Sequence, residues 1–248
     1  MPLTDIAMVA GDTSRSRAYL QALDRNNILP NFVIVLENPS QEVLPGQAPD
    51  TFSNVLNELT NDVEECWKES YFDATKPIKV LLNELGINFV VIATKDINNI
   101  DVIDCIRERN ESVFIYSGFG GVILGKSILS LKKKFLHVHG GYLPDFKGST
   151  TNYYSLLVEN TMGASSIFLN EEIDCGPIIF REKFPEPNNK LNIDYMYDSG
   201  ARAKVLVKTI NDFIKFGTWK FELSDNLGGE TYYIIHPVLK HIAILAKK

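Results

Sequence analysis

Five short apolar runs between Asp5 and Gly141 constrain this chain most: DIAMVAG, NFVIVLE, INFVVIAT, SVFIYSG and FLHVHGG. They are rich in Val, Ile and Phe, too short for buried helices and bounded by turn-forming residues, which reads as strands covered on both faces. Helix-like segments alternate with them. SRSRAYLQALDRNN follows the first run, KPIKVLLNELG precedes the third, DVIDCIRERN precedes the fourth, and GKSILSLKKK leads into the fifth. Such alternation implies an α/β, Rossmann-like fold: a mostly parallel, twisted sheet with right-handed crossovers, flanked by helices. Ligands of such sheets collect outside the carboxyl ends of the strands, so Gly11, Ser117 to Gly121 and His139 to Tyr142 are expected along one edge.

The 248 residues suffice for one main domain with a substantial core. A net charge of -6 and a single dense basic run, Lys132 to Lys134, argue against a nucleic-acid partner; the run reads as a solvated helix end. Cys66, Cys105 and Cys175 show no paired spacing, so neither a disulfide framework nor a zinc site is expected. The N-terminus lacks a basic region followed by a long apolar core, and no apolar run approaches a bilayer's width. A soluble cytoplasmic protein, without a membrane partner, is the expectation.

After Gly148, TTNYYSLLVEN reads as a helix, GASSIFLNEEID and GPIIFREKF as two strands, and DYMYDSGARAKVLVKTINDFIKFG as a long amphipathic helix. The main domain is expected to span 1–217. The tail, 218–248, contains the apolar stretch TYYIIHPVLKHIAIL, expected to pack back on the domain or to join two copies in a homodimer. The acidic segment 41–72 reads as an insertion or a lid.

Three elements carry the chemistry. In FLHVHGGYLPDFKG, His137 and His139 stand at i and i+2 of a strand, so both imidazoles leave the same face and enter one pocket. Gly140 and Gly141 allow a close backbone approach. Two histidines are a partial metal set, but a catalytic zinc site needs a third protein ligand, and no such motif is present, so no metal is expected. In EEIDCGPII, Asp174 sits in a turn where backbone amides can hold its carboxylate; a plain Asx-turn is the alternative. Cys175 reads as a small buried residue. YSGFGGVILGKSIL does not match GxGxxG opening a helix and reads as a flexible loop able to wrap a flat ligand.

In this order, GFGGVILGKSIL, HVHGGYLPDFKG and IDCGPII resemble the folate-dependent formyltransferases, over roughly Asp5 to Phe184. That family's catalytic strand reads Asn-x-His-Pro-Ser-Leu-Leu-Pro, then an aromatic and a Gly, and its loop reads Asp-x-Gly. The run from His139 through Leu143, Pro144, Phe146 and Gly148 matches without a gap, and Asp174 and Gly176 take the loop positions. The resemblance implies the formyltransferase fold, 10-formyltetrahydrofolate as co-substrate and a small-molecule primary amine as acceptor. It implies His139 as principal catalytic residue and Asp174 as its partner. The folate would contact Phe119, Gly120, Gly121, Val122, Ile123, Glu171, Glu172 and Ile173.

Two departures shape the expectation. His137 stands where the family has Asn, and is expected to replace that residue as a hydrogen-bond donor to the formyl oxygen; Gly140-Gly141 replaces Pro-Ser. After the first strand, VAGDTSRSRAYL keeps only Gly11 of a glycine-rich phosphate loop, although Arg15 and Arg17 can meet an anion at a helix N-terminus. With a tail that is short and not strongly basic, the sugar N-formyltransferases are the most similar branch. The acceptor is then an amino sugar or its nucleotide-linked form, contacted by Gly11, Arg15, Gly140, Gly141, Lys147, Ser149 and Thr150. A formyltetrahydrofolate hydrolase, or a homologue that only binds folate or sugar, are the alternatives.

Overall fold

A computed structural model describes residues 3–39, 71–187, 192–224 and 226–245. The segment read as an insertion or lid lies, but for Tyr71 and Phe72, outside the described residues, and Phe72 is buried. The five apolar runs all form strands: β1 (Ile6–Gly11), β2 (Phe32–Leu36), β3 (Asn88–Ile92), β4 (Val113–Ser117) and β5 (Lys134–His139). They lie in the order β3-β2-β1-β4-β5, all parallel. Two further strands, β7 (Thr161–Phe168) and β8 (Ile178–Pro185), extend the sheet antiparallel beyond β5.

Alternation along the strands builds both layers. On β1, Ile6, Met8 and Ala10 point to one side and Ala7 and Val9 to the other, and all are buried. The first face is covered by α1 (Ser14–Arg25), α2 (Ile78–Glu84) and α6 (Asp198–Phe216), the second by α3 (Ile100–Glu108) and α4 (Lys126–Leu129). Each large apolar side chain so enclosed, such as Phe114 or Leu136, contributes about 1.5–3 kcal/mol. Helix starts follow local chemistry. Thr13 caps α1 by accepting from Ser16 N at 3.2 Å, and Asn99 caps α3 by accepting from Asp101 N at 2.9 Å. The basic run enters β5 instead of ending a helix, because α4 stops at Leu129.

The strand order reverses between β1 and β4, and the crevice opens at that switch point, beyond their carboxyl ends. The short β6 (Phe146–Gly148) and α5 (Thr151–Glu159) follow β5 over this crevice. The tail returns to the same place. Its β9 (Glu230–Tyr232) pairs with β6, and α7 (Pro237–Leu245) packs on α5. Among the described residues no helix is long and apolar enough to cross a membrane.

Candidate active site

A cavity of about 340 Å³ lies at the switch point, and His137, His139 and Asp174 all line it. The two histidines leave one face of β5, as their spacing requires. His139 Nε2 lies 2.8 Å from the Phe146 carbonyl oxygen and Nδ1 lies 3.3 Å from Asp174 Oδ1. Both partners accept, so the ring is fully satisfied only when it carries two protons. Burial pulls its pKa below the ordinary 6.5 while the Asp174 charge pulls it back up. His139 and Asp174 therefore form a pair that holds a proton between them.

Asp174 and its loop are held by two groups besides His139. Its Oδ2 accepts the Gly148 amide at 2.9 Å, while Asn226 Nδ2 donates to the Asp174 carbonyl at 2.7 Å and to the Gly176 carbonyl at 3.1 Å. The residue sits at φ +54°, a left-handed conformation that costs a non-glycine residue about 1 kcal/mol or more and persists because these contacts over-determine it. Asn226 belongs to the tail, and Lys147 ties it down, donating to its carbonyl at 2.5 Å.

His137 is held differently. Its Nδ1 lies 3.2 Å from the Tyr116 carbonyl, which can only accept, so Nδ1 carries the hydrogen. Burial first, then Arg15, Arg202 and His139, hold its pKa well below 6.5, and the ring is neutral at pH 7. Its Nε2 has no protein partner among the described residues and is not sealed from the cavity.

Two arginines complete the cavity. Arg202 donates Nε to Asp198 at 3.0 and 2.9 Å to its two oxygens and Nη1 to the Val138 carbonyl at 3.2 Å. Arg15, in the first turn of α1, donates to Ser117 Oγ at 3.1 Å and to the Gly118 carbonyl at 2.5 Å. No carboxylate lies within ion-pair distance of Arg15 among the described residues, and its Nη1 is unspent. Burial and the charge of Arg202 lower its pKa, the mark of a cation kept without full compensation.

Fifteen of the eighteen expected site residues line this cavity: the catalytic three, Phe119 to Ile123, Glu171 to Ile173, Arg15, Gly140, Ser149 and Thr150. Three do not. Gly11 lies under the Phe119 ring, which a Cβ there would meet at 2.9 Å. A Cβ on Gly141 would stand 2.6 Å from the Phe146 carbonyl and 2.7 Å from His139 Nε2, so its role is to let that ring and carbonyl meet. Lys147 is buried and turned to Asn226 and Cys175, a brace between loop and tail. Arg17 is likewise spent, on Asp12 at 2.7 Å and the Ala74 carbonyl at 2.5 Å. Sequence reasoning missed Arg202, Asp198 and Asn226. The first two had a signal: an Asp and an Arg at i and i+4 on a helix make a fixed ion pair, and Gly140 leaves the room it occupies.

Comparison with known proteins decides the family. The family profile described as formyl transferase matches residues 6–204. This chain belongs to the formyl transferase family. Methionyl-tRNA formyltransferase of Finegoldia magna is 28% identical over 178 residues, 71% of this chain and 57% of that protein. The chain spans about half the length of the curated relatives it matches. Among solved structures, a sugar N-formyltransferase from a Shewanella species superposes with a TM-score of 0.56 at 14% identity, over 98% of this chain and 87% of that one. An N-formyltransferase from Helicobacter canadensis, in complex with folinic acid and dTDP-3-aminofucose, gives 0.57 at 16% identity, over 93% and 71%. Formyl transferase architecture thus accounts for the mostly parallel sheet and its flanking helices.

Proposed function

We propose that the protein moves a formyl group from 10-formyltetrahydrofolate to the primary amine of an amino sugar or nucleotide-linked amino sugar. The observation that carries this reading is the convergence of His137, His139 and Asp174 on one cavity whose other wall is the 119–124 loop. That wall suits a flat, partly polar donor. Phe119, Val122 and Leu124 supply apolar surface, and Gly120 and Gly121 have nothing within 4 Å of where a Cβ would stand. The Tyr116 hydroxyl is buried without a hydrogen-bond partner among the described residues, a polar atom suited to a ligand's heteroatom. Glu171, Glu172 and Ile173 line the same space.

In this reading the folate supplies an activated formyl group, and the protein's residues orient it and manage charge and protons. Arg15 and Arg202 favour negative charge on the formyl oxygen as the amine adds. The His139–Asp174 pair holds a proton for the departing nitrogen. Arg15, with an unspent Nη1, is also suited to an anionic part of the acceptor, such as the phosphate of a nucleotide-linked sugar.

The first measurement is tetrahydrofolate release from 10-formyltetrahydrofolate with a panel of amino sugars and their nucleotide-linked forms, with initiator methionyl-tRNA, and with no amine. Sugar-amine-dependent release supports the reading. The likeness to the Finegoldia magna enzyme favours methionyl-tRNA as second acceptor, and release with that alone would replace the sugar. Release without any amine would make the protein a hydrolase.

A further inference from the structure

We infer that His137 is the group that takes the proton from the attacking amine, through the lone pair on Nε2, instead of donating a hydrogen bond to the formyl oxygen. This rests on the formyl transferase reading above and assigns one proton in it. The geometry leaves little choice. A neutral imidazole has one N–H, and at His137 it is committed to the Tyr116 carbonyl at 3.2 Å. Nε2 is therefore an acceptor, and it faces the cavity with no protein donor on it among the described residues. His139, by contrast, has both ring nitrogens turned to protein acceptors, at 2.8 and 3.3 Å. Of the two imidazoles only His137 offers a free base to a bound amine.

The groups packed around His137 keep it unprotonated at rest, so that its lone pair is free to accept. Arg15 faces it from α1, Arg202 from α6 and His139 from its own strand, and each opposes a resting positive charge. Tyr116 on β4 lies with its ring 6.0 Å away and fixes the tautomer through its carbonyl. The opposing carboxylates are already engaged: Asp198 with Arg202 and Asn152, Asp174 with His139 and Gly148.

The step balances as follows. The amine nitrogen bonds to the formyl carbon, the carbonyl π pair moves onto oxygen near the guanidiniums, and the amine's proton passes to His137 Nε2. The oxygen pair then returns, the bond from carbon to the folate nitrogen breaks, and that nitrogen takes the proton held by His139 and Asp174. The proton on His137 restores that pair through solvent, so no net proton is consumed.

The test compares His137→Ala and His137→Asn with wild type, using the amine that supports turnover. As a proton acceptor, His137 leaves both variants slower in kcat by about 10²–10⁴-fold, and free imidazole restores His137→Ala in proportion to its neutral fraction. A His137→Asn variant within about tenfold of wild type, with no imidazole rescue of His137→Ala, would overturn the proposal, because Asn can donate but not take a proton. Nitrogen-15 NMR of the intact wild type gives a readout independent of turnover and of variant folding: Nδ1–H with an unprotonated Nε2 supports the assignment, and Nε2–H overturns it. Failure of wild type to use any amine would sink the transferase reading alone, with the tautomer still deciding the state of His137.

Discussion

At the amino-terminal edge of the sheet, the buried Glu111 carboxylate is met on every side. Asn31 donates to it at 2.7 Å, Arg109 donates twice at 2.6 and 3.0 Å, and Lys133 secures its carbonyl at 2.9 Å. Burial pushes its pKa up, but the bonds from Arg109 and Asn31 outweigh this and bring it down to about 2. At the carboxyl edge the balance is the reverse. His137 and His139 are held below their ordinary pKa, and among the described residues Arg15 has no carboxylate within ion-pair distance and the Tyr116 hydroxyl has no partner. Both clusters are fixed by the same strands. The lesson is that one has been closed for stability and the other left open to a ligand's charges and polar atoms.

Asp174→Asn should break the open end hardest. The amide keeps the shape but cannot hold the proton-sharing pair with His139, so turnover is expected to fall by about 10²–10⁴-fold. Thermal melting and formyl-transfer kinetics on the same sample check this. A loss of stability with turnover preserved would show that Asp174 only braces the loop.

Glu111→Gln should produce the opposite signature: about 1–3 kcal/mol of stability lost, with kcat unchanged. Its pH dependence sharpens the contrast. Glu111 binds its proton less readily folded, at about 2, than at the ordinary 4.5, so its contribution is complete above 4.5 and is lost as pH falls toward 2. The gap in melting temperature between wild type and variant should close over that range. His137 also binds a proton less readily when folded, so its contribution is complete above 6.5 and erodes as pH falls below it. Acid should therefore destabilise the open end first; a wild type equally stable at pH 7 and 5 would contradict that order.

Much of this contrast was legible in the sequence where it follows from period. Five apolar runs with intervening helices give the parallel sheet, the i and i+2 spacing gives two imidazoles on one face, and the family pattern leads to Asp174. What was not legible depends on distant segments meeting. Nothing near Asn226 indicates that its amide grips the Asp174 loop, since the two are brought together by the tail crossing Gly148 and Pro144. Lys147 reads as a contact to the acceptor, but the same crossing buries it and turns it to Asn226. The tautomer of His137 depends on a carbonyl of another strand, and no side-chain pattern encodes that.

Gly140 offers the finest probe of the open end. A Cβ there would run into Arg202 Nη2 and stand 2.7 Å from Asp198 Oδ1, so Gly140→Ala must displace the ion pair. The pair lies at the ends of flexible side chains whose backbone, on α6, can stay in place. The expected effect is therefore modest, about 0.5–1.5 kcal/mol of stability and a several-fold change in turnover, through a weaker cationic field over the cavity. The neighbouring glycine sets the scale, because at Gly141 the obstacle includes the Phe146 backbone carbonyl, which cannot swing aside. If Gly140→Ala proved as damaging as Gly141→Ala in paired melting and kinetic measurements, Arg202 would be as rigidly required as His139, and the open end would be less open than Arg15 and His137 indicate.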